Sequence, residues 1–250
     1  MISLPRITKA LLLLNGLFFV LTGLLEMENI QRIFSGYYPL SPLFRPEQIL
    51  THMFLHGGTT HFFFNMFSLW MFGSTVERQL GEKKFTILYF VAGLGSYFLF
   101  NFVNYFEILS LEKNLVAMGL NPQSIIQNAE NVLDIQGRIS SLPQNQVPLA
   151  VEYARHFISP MLGASGAIYG LLVVFGLLNP NSELMLMFFP FPIKAKYFIP
   201  LLLLWDFLAG IRDSATDNTA HFAHIGGAIF GLILGLYWYR INLSRIYKNH

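Results

Sequence analysis

In residues 163–170 the chain reads Gly-Ala-Ser-Gly-Ala-Ile-Tyr-Gly, within a run from 157 to 182 that contains no charged side chain. A run of this length can cross a bilayer, where a helix satisfies its own backbone groups. Gly163 and Gly166 remove side-chain bulk from around Ser165, and Tyr169 follows one helical turn later on the same face. Ser165 is therefore either helix-packing material, as small residues often are in membranes, or a nucleophile open to another molecule.

The composition is that of an integral membrane protein. Of the 250 residues, 54% are hydrophobic and 12% are charged, whereas about a quarter of residues are charged in soluble domains. The formal net charge of +2 gives no reason to expect nucleic acid as a partner. The chain has no cysteine, which excludes disulfides, thiolate metal sites and thiol nucleophiles.

The apolar stretches predict an all-α bundle of six transmembrane helices. These spans cover residues 10–25, 48–76, 85–106, a stretch beginning near 159, 197–211 and 218–239. Residues 184–193 are also apolar, but Pro190 and Pro192 favour a loop in the membrane interface. Asp206 is the one acidic residue within a span, and we expect it to snorkel or to bond the next loop.

The basic residues predict the orientation of these spans. Six spans place both termini on one side, and that side, with the loops after the second and fourth spans, carries ten of the 16 Lys and Arg residues. By the positive-inside bias we expect both termini to be cytoplasmic. Ser165 then lies near the external end of the fourth span.

Residues 107–156, between the third and fourth spans, are polar and form a long insertion in what we expect to be a single domain over 1–250. Asn121 and Pro122 are typical of a helix start. Apolar residues then recur at helical spacing, namely Ile125, Ile126, Ala129, Val132 and Leu133. We expect an amphipathic helix that lies on the outer leaflet and screens substrates; the alternative is a tolerated surface insertion.

Several polar residues occur at membrane depth, where they are costly and call for an explanation. His61 and Asn65 share one face of the second span, and His224 begins the sixth. Gly227 and Gly231 continue from His224 as a stripe of small residues that lets this helix approach a neighbour closely.

A reaction follows if these side chains meet Ser165 in one pocket. His224 takes the proton of Ser165, and the serine oxygen attacks a peptide carbonyl. The backbone amide of Ser165, with Asn65 and His61, stabilises the oxyanion. No acidic residue is placed to orient the imidazole, so we assign that role to Tyr169 and expect a Ser/His dyad.

Other classes of protein stay open at this point. A histidine-lined path for divalent metals is one, since imidazole suits transition metals. The chain has no His-Glu-x-x-His motif for a metalloprotease, and one intramembrane acidic residue is too few for a two-aspartate membrane protease.

Taken together, the motifs resemble those of the rhomboid intramembrane serine proteases. They are His56-x4-His61-x3-Asn65, Val76-Glu77-Arg78 with Gly81, Gly163-Ala164-Ser165-Gly166 with Tyr169, and Ala223-His224-Ile225-Gly226-Gly227 with Gly231. The resemblance covers nearly the whole chain except 107–156. Where many members carry a Trp-Arg pair before the second helix, this chain has Glu47-Gln48.

The resemblance implies that Ser165 is the nucleophile and His224 the base, with Asn65 and His61 as oxyanion donors. It implies cleavage of transmembrane segments of other proteins within the lipid bilayer, without metal or other cofactor, behind a movable fifth helix and cap loop. We expect a multi-pass protein of a bacterial cytoplasmic membrane, with its site towards the extracytoplasmic face. The alternative is a catalytically silent member that binds transmembrane helices, although silent members usually lack the serine or the histidine.

Overall fold

The computed structural model describes residues 3–24, 28–127, 132–186, 189–212 and 220–248. Within these residues the chain is a bundle of helices with one β-hairpin, so the predicted all-α membrane class is confirmed. The helices are α1 (Arg6–Leu24), α2 (Glu28–Phe34), α3 (Gln48–Thr51), α4 (Thr59–Ser68), α5 (Ser74–Leu80), α6 (Glu82–Ala117), α7 (Pro122–Ile126), α8 (Val132–Ser140), α9 (Val147–Ile158), α10 (Ser165–Leu178), α11 (Ala195–Arg212) and α12 (His221–Lys248).

Three helices in the described ranges are long and apolar enough to cross a membrane. They are the Arg6–Gly23 part of α1, α6 and the His221–Tyr239 part of α12. α10 is apolar but has only 14 residues, which makes it about 21 Å long. The count of six spans, the cytoplasmic side of the termini and the single-domain organisation therefore stay predictions.

The centre of the bundle is formed by α6, α10 and α12, which pack at backbone distance. A Cβ atom added to Gly227 would overlap the carbonyl oxygen of Gly166, and one added to Gly231 would lie 2.5 Å from the Cα of Gly170. On the other side of α10, a Cβ on Gly166 would overlap the side chain of Ser96 in α6. Small residues thus bring α10 and α12 into direct contact and fix their relative position.

The helix in the second predicted span begins later than the sequence pattern predicts. The continuous helix starts at Thr59 and runs to Leu80 through α4, a π-helical turn at Leu69–Gly73 and α5. The preceding residues form α3 and a 3₁₀ turn at His52–Phe54. Gly58 lies between the two helical segments and has φ of 150°. Glycine adopts this conformation more readily than residues with a side chain.

Gln48 anchors the loop that precedes this helix, at the place where the Trp-Arg pair of the resemblance is missing. Its side chain is fully buried. Its Oε1 accepts from the amide of Arg45 (3.0 Å), and its Nε2 donates to the carbonyls of Ile33 (2.9 Å) and Leu43 (3.0 Å). One neutral amide therefore ties three points of the loop together.

The insertion is a small helical unit with its own apolar core. α6 has 36 residues, about 54 Å, so it extends well beyond the roughly 30 Å of a hydrocarbon layer. α7 and α9 pack against this extension, and α8 packs on α7 and α9. The core members include Ile108, Leu111, Leu115, Ile125, Ile126, Ile135, Ile139 and Tyr153.

The predicted amphipathic helix on the outer leaflet is wrong for the part that the structure describes. α7 ends at Ile126 and α8 begins at Val132, while Ala129 lies outside the described residues. Ile125 and Ile126 are buried in the insertion core, so their apolar face is covered by protein and is not free to contact lipid.

Residues 184–193 differ from the predicted irregular loop. β1 (Glu183–Leu186) and β2 (Phe189–Lys194) pair antiparallel, with Glu183 opposite Lys194 and Leu184 opposite Ile193. Cross-strand hydrogen bonds satisfy backbone groups that an apolar loop would leave unpaired.

Candidate active site

Ser165 is the first residue of α10, and the loop before it is held from two sides. Gly163 has φ of 126°, and its amide donates to the carbonyl of His52 at 2.9 Å. Met161 pairs with Gly36 through two backbone hydrogen bonds of 2.8 Å. The first amides of a helix have no acceptor within that helix, so those at the start of α10 are suited to bind a developing negative charge.

The hydroxyl of Ser165 is in hydrogen-bond contact with His224. The distance from Ser165 Oγ to His224 Nε2 is 2.9 Å. The close packing of α10 on α12 brings the two side chains together. The ring of Tyr169 stacks on the His224 imidazole with centroids 4.2 Å apart and planes 9° from parallel, so the imidazole has a fixed orientation.

Asp206 completes a hydrogen-bonded row that the sequence analysis missed. Its Oδ1 lies 3.1 Å from His224 Nδ1 and 2.6 Å from His221 Nδ1, and the side chain is 4% exposed. The prediction that Asp206 snorkels or bonds a loop is therefore wrong, as is the prediction that no acidic residue reaches the imidazole. α11 packs against α12, and histidines three residues apart on α12 share the face that meets it.

The sequence did contain a signal for Asp206. An ionisable residue in a membrane helix faces the bundle interior or a polar cavity far more often than lipid, so it is by default a candidate functional residue. Helix spacing alone could not identify its partner, because the two histidines belong to a different helix.

The two hydrogen bonds of the His224 ring define one consistent tautomer. Nδ1–H donates to Asp206, which leaves the lone pair of Nε2 to accept the Ser165 hydroxyl proton. The carboxylate therefore orients the imidazole and stabilises the imidazolium that forms when Ser165 loses its proton.

The His61 ring lies against Gly163, beside the nucleophile. A Cβ on Gly163 would be 2.9 Å from both Cε1 and Nε2 of His61, and 3.7 Å from Ser165 Oγ. The amide of Gly57 donates to His61 Nδ1 at 3.3 Å. Nε2 then carries the ring hydrogen, and together with Cε1 it lies on the side of the ring next to Gly163.

Asn65 is one turn further along α4 and is tied to His61. Its Nδ2 donates to the carbonyl of His61 at 2.8 Å, which uses one of its two amide hydrogens. Asn65 Oδ1 is buried and accepts no hydrogen bond from the described residues. The structure thus brings Ser165, His224, Tyr169, Gly163 and His61 together, and Asn65 joins them through His61.

Two other histidines, His52 and His56, are buried and pack against neighbouring rings. His52 is buried and its Nδ1 contacts the carbonyl of Gln48 at 2.9 Å, while its ring packs on Tyr97. His56 is buried with its ring edge-on to His61 and Phe62.

These features define a polytopic helical membrane protein with a serine and a histidine in hydrogen-bond contact. The model of the rhomboid domain matches residues 44–120 and 135–241, and the chain belongs to the rhomboid family.

Comparison with curated proteins gives three informative relatives. The chain is 34% identical over 102 residues to rhomboid-like protease 1 of Toxoplasma gondii, covering 37% of this chain and 34% of that protein. It is 25% identical over 230 residues to the mitochondrial rhomboid protein 1 of Saccharomyces cerevisiae, covering 90% of this chain and 51% of that protein. It is 24% identical over 237 residues to the mitochondrial presenilin-associated rhomboid-like protein of Mus musculus, covering 94% and 48%.

The chain spans about half the length of these mitochondrial relatives. Their location overturns the prediction of a bacterial cytoplasmic membrane, whereas a multi-pass membrane protein is supported. The reason for the error is physical: basic residues report the orientation of spans relative to a membrane and carry no information about which membrane it is.

Proposed function

We propose that this protein is an intramembrane serine endopeptidase that hydrolyses peptide bonds in or near transmembrane segments of other membrane proteins. The observation that carries the proposal is the 2.9 Å contact between Ser165 Oγ and His224 Nε2. Membership of the rhomboid family agrees with it.

Ser165 attacks the substrate carbonyl carbon while its proton passes to His224 Nε2. The carbonyl oxygen becomes an oxyanion, which the amide of Ser165 and the side chains of His61 and Asn65 stabilise. His224 then gives its proton to the leaving amine, the C–N bond breaks, and an acyl-serine ester is left.

Hydrolysis of this ester repeats the same steps with water. His224 takes a proton from the water, the hydroxide attacks the ester carbonyl, and the proton returns to Ser165 Oγ as the C–O bond breaks. Asp206 acts throughout as a positioning residue, because it holds Nδ1 of His224 at 3.1 Å. Tyr169 stacks on one face of the His224 ring.

A helical substrate hides its carbonyl groups in backbone hydrogen bonds, so it must unwind before Ser165 can attack. We therefore expect small and helix-breaking residues near the cleaved bond. The cap loop that the resemblance implies after α11 falls on residues 213–219, outside the described part of the chain.

The first test is labelling of the purified protein in detergent by a fluorophosphonate probe. We expect wild type to be labelled and Ser165→Ala and His224→Ala to stay unlabelled, since the first lacks the nucleophile and the second its base. Well-folded wild type that stays unlabelled by this and other serine-directed probes would contradict the proposal and favour a silent protein that binds transmembrane helices.

A further inference from the structure

We propose that Asp206, His221 and His224 form an inhibitory binding site for a divalent transition-metal ion of the zinc type. The inhibitory part rests on the proposed peptidase activity, whereas binding of the metal does not. These three residues form a group whose ligand atoms all lie within 4.8 Å of one another, and it is the one such group in the described residues.

The donor set suits this class of metal. Zinc takes imidazole nitrogen and carboxylate oxygen at about 2.0–2.2 Å, and a site with three protein ligands leaves a fourth position for water. Tetrahedral ligands at that distance are about 3.3 Å apart. The present separations from Asp206 Oδ1 are 2.6 Å to His221 Nδ1 and 3.1 Å to His224 Nδ1. Each of these two separations must therefore widen by less than about 1 Å to admit the ion, and all three ligand atoms already lie within 4.8 Å of one another.

The Asp206 carboxylate supplies a second and independent reason to expect a cation. Its side chain is 4% exposed. Besides the two histidines, the Tyr169 hydroxyl interacts with this carboxylate, but Oδ2 accepts no hydrogen bond of good geometry from the residues that the structure describes. A buried carboxylate oxygen without a hydrogen-bond donor is unfavourable. A metal ion can bind through either oxygen and neutralise the charge.

Metal binding changes the tautomer of His224. In the metal-free site, Nδ1–H of each histidine donates to Asp206. A neutral imidazole has one lone pair, so a metal on Nδ1 requires the ring proton to move to Nε2. No proton is lost in this exchange, and no group is oxidised or reduced.

Inhibition follows from this proton movement. Once Nε2 of His224 carries the hydrogen, it donates towards Ser165 Oγ and can no longer take the serine proton. The metal therefore switches off the base without touching the nucleophile, and its removal by a chelator restores the original tautomer.

The binding test uses Ser165→Ala, which keeps all three ligands and cannot react. We expect one equivalent of Co²⁺ to bind and to give the visible absorption of a tetrahedral ion. Adding His221→Gln should abolish this signal, because the amide can still donate to Asp206 but is a poor ligand for such a metal. Adding His156→Ala, on α9 outside the group, should leave it unchanged.

The inhibition test measures the rate of fluorophosphonate labelling against Zn²⁺ concentration. We expect reversible inhibition of wild type, little effect of Mg²⁺, which prefers oxygen ligands, and at least a roughly tenfold higher half-inhibiting Zn²⁺ concentration for His221→Gln. Each variant is compared with its own metal-free rate.

Three outcomes overturn the proposal: no stoichiometric Co²⁺ binding, binding that His221→Gln leaves intact, or zinc inhibition that is equal in wild type and His221→Gln. If Co²⁺ binds as expected but wild type is never labelled without metal, the metal site stands, and its inhibitory role falls together with the proposed peptidase activity.

Discussion

Asp206 gives the site a third member, and its contribution can be measured apart from that of the nucleophile. Replacing Asp206 by Asn keeps the shape but lets His224 turn or adopt the other tautomer, so the maximal rate of fluorophosphonate labelling should fall by about 10²–10⁴. The probe concentration that gives half the maximal rate should not change, because Asp206 does not contact the bound molecule.

Asp206→Glu is the matched variant for this experiment. It retains the charge, and we expect it to recover part of the lost rate. A change confined to the half-maximal probe concentration would show that Asp206 shapes the binding pocket and does not position the base.

The oxyanion donors should show a smaller effect than the nucleophile and the base. Asn65→Ala removes one donor among several, so we expect the labelling rate to fall by at most about 10²–10³, whereas Ser165→Ala abolishes it. His61→Ala should fall in the same range. Complete loss of labelling in a folded Asn65→Ala protein would mean that Asn65 does more than share the oxyanion.

Gly163 combines backbone conformation with a close contact, and the two can be separated. In Gly163→Ala the φ of 126° is strained and the new Cβ lies 2.9 Å from the His61 ring. We expect reduced stability together with a loss of labelling. Gly119→Ala is the control: it has φ of 78° and nothing within 4 Å of the added Cβ. It should cost about 1–2 kcal/mol and leave labelling unchanged.

Site residues were predictable from the sequence where the reactive side chain and the small residues around it belong to one short motif. The glycines around Ser165 and the glycine stripe after His224 can be recognised in the sequence, because small residues at helical spacing indicate that two backbones pack closely. Asp206 carries no such local pattern, since both of its partners are on another helix. The structure was needed to pair it.

The contact between α10 and α12 sets the geometry of the Ser165–His224 pair. In Gly227→Ala the new Cβ would overlap the carbonyl of Gly166, so the helices must separate and His224 must move away from Ser165. We expect a lower unfolding temperature and slower labelling. In Gly235→Ala, on the same stripe, the new Cβ meets only side-chain atoms, the movable end of Leu177 at 2.9 Å and Cγ2 of Val174 at 3.1 Å, and no backbone. This control should lose little of either.

The boundaries of the helices were less predictable than their existence. Hydropathy cannot distinguish residues 48–58, which form α3, a 3₁₀ turn and a short connection, from the helix that follows, because both segments are apolar and lack charge. It also ends the third span where polar residues begin, although α6 continues to Ala117 with its apolar positions now facing the insertion core. The pairing of β1 and β2 was missed because Pro190 and Pro192, both in β2, disfavour regular structure.

The insertion and the bundle have separate cores, which predicts that they can be destabilised separately. Leu115→Ala removes a fully buried side chain from the insertion core, and we expect about 2–5 kcal/mol of local destabilisation. Limited proteolysis should cut between α7 and α9 faster, while fluorophosphonate labelling stays within about twofold.

Leu109→Ala, an exposed position on the same helix, is the control and should change neither readout. Tyr153→Phe offers a milder variant, since it removes only the hydroxyl that donates to Glu112 at 3.0 Å. Burial, helped by the Glu112 carboxylate, raises the pKa of Tyr153, so this hydroxyl keeps its proton and the bond persists at alkaline pH. Loss of labelling in folded Leu115→Ala would show that the insertion supports the site directly.

For the molecule as a whole, composition was enough to predict a helical membrane protein. So much apolar surface is stable in contact with lipid, whereas a soluble fold would expose it to water. Which membrane it occupies was predicted wrongly, and the relatives corrected it. The separate core of the insertion could not be predicted from the sequence pattern either, because its buried residues come from four helices and from Tyr38 in a loop.

The Ser165–His224–Asp206 row is divided between helices that differ in how closely they pack. Ser165 and His224 lie on α10 and α12, whose backbones are in contact, and this contact fixes the distance between the two side chains. Asp206 is carried by α11, which has Pro200 within it and therefore lacks one of its internal hydrogen bonds. Any outward swing of α11 that admits a guest helix also withdraws the carboxylate from the imidazole. In the proposed peptidase, one helix would therefore control both substrate entry and the orientation of the base, and hydrolysis would be favoured only after α11 had returned to its position against α12.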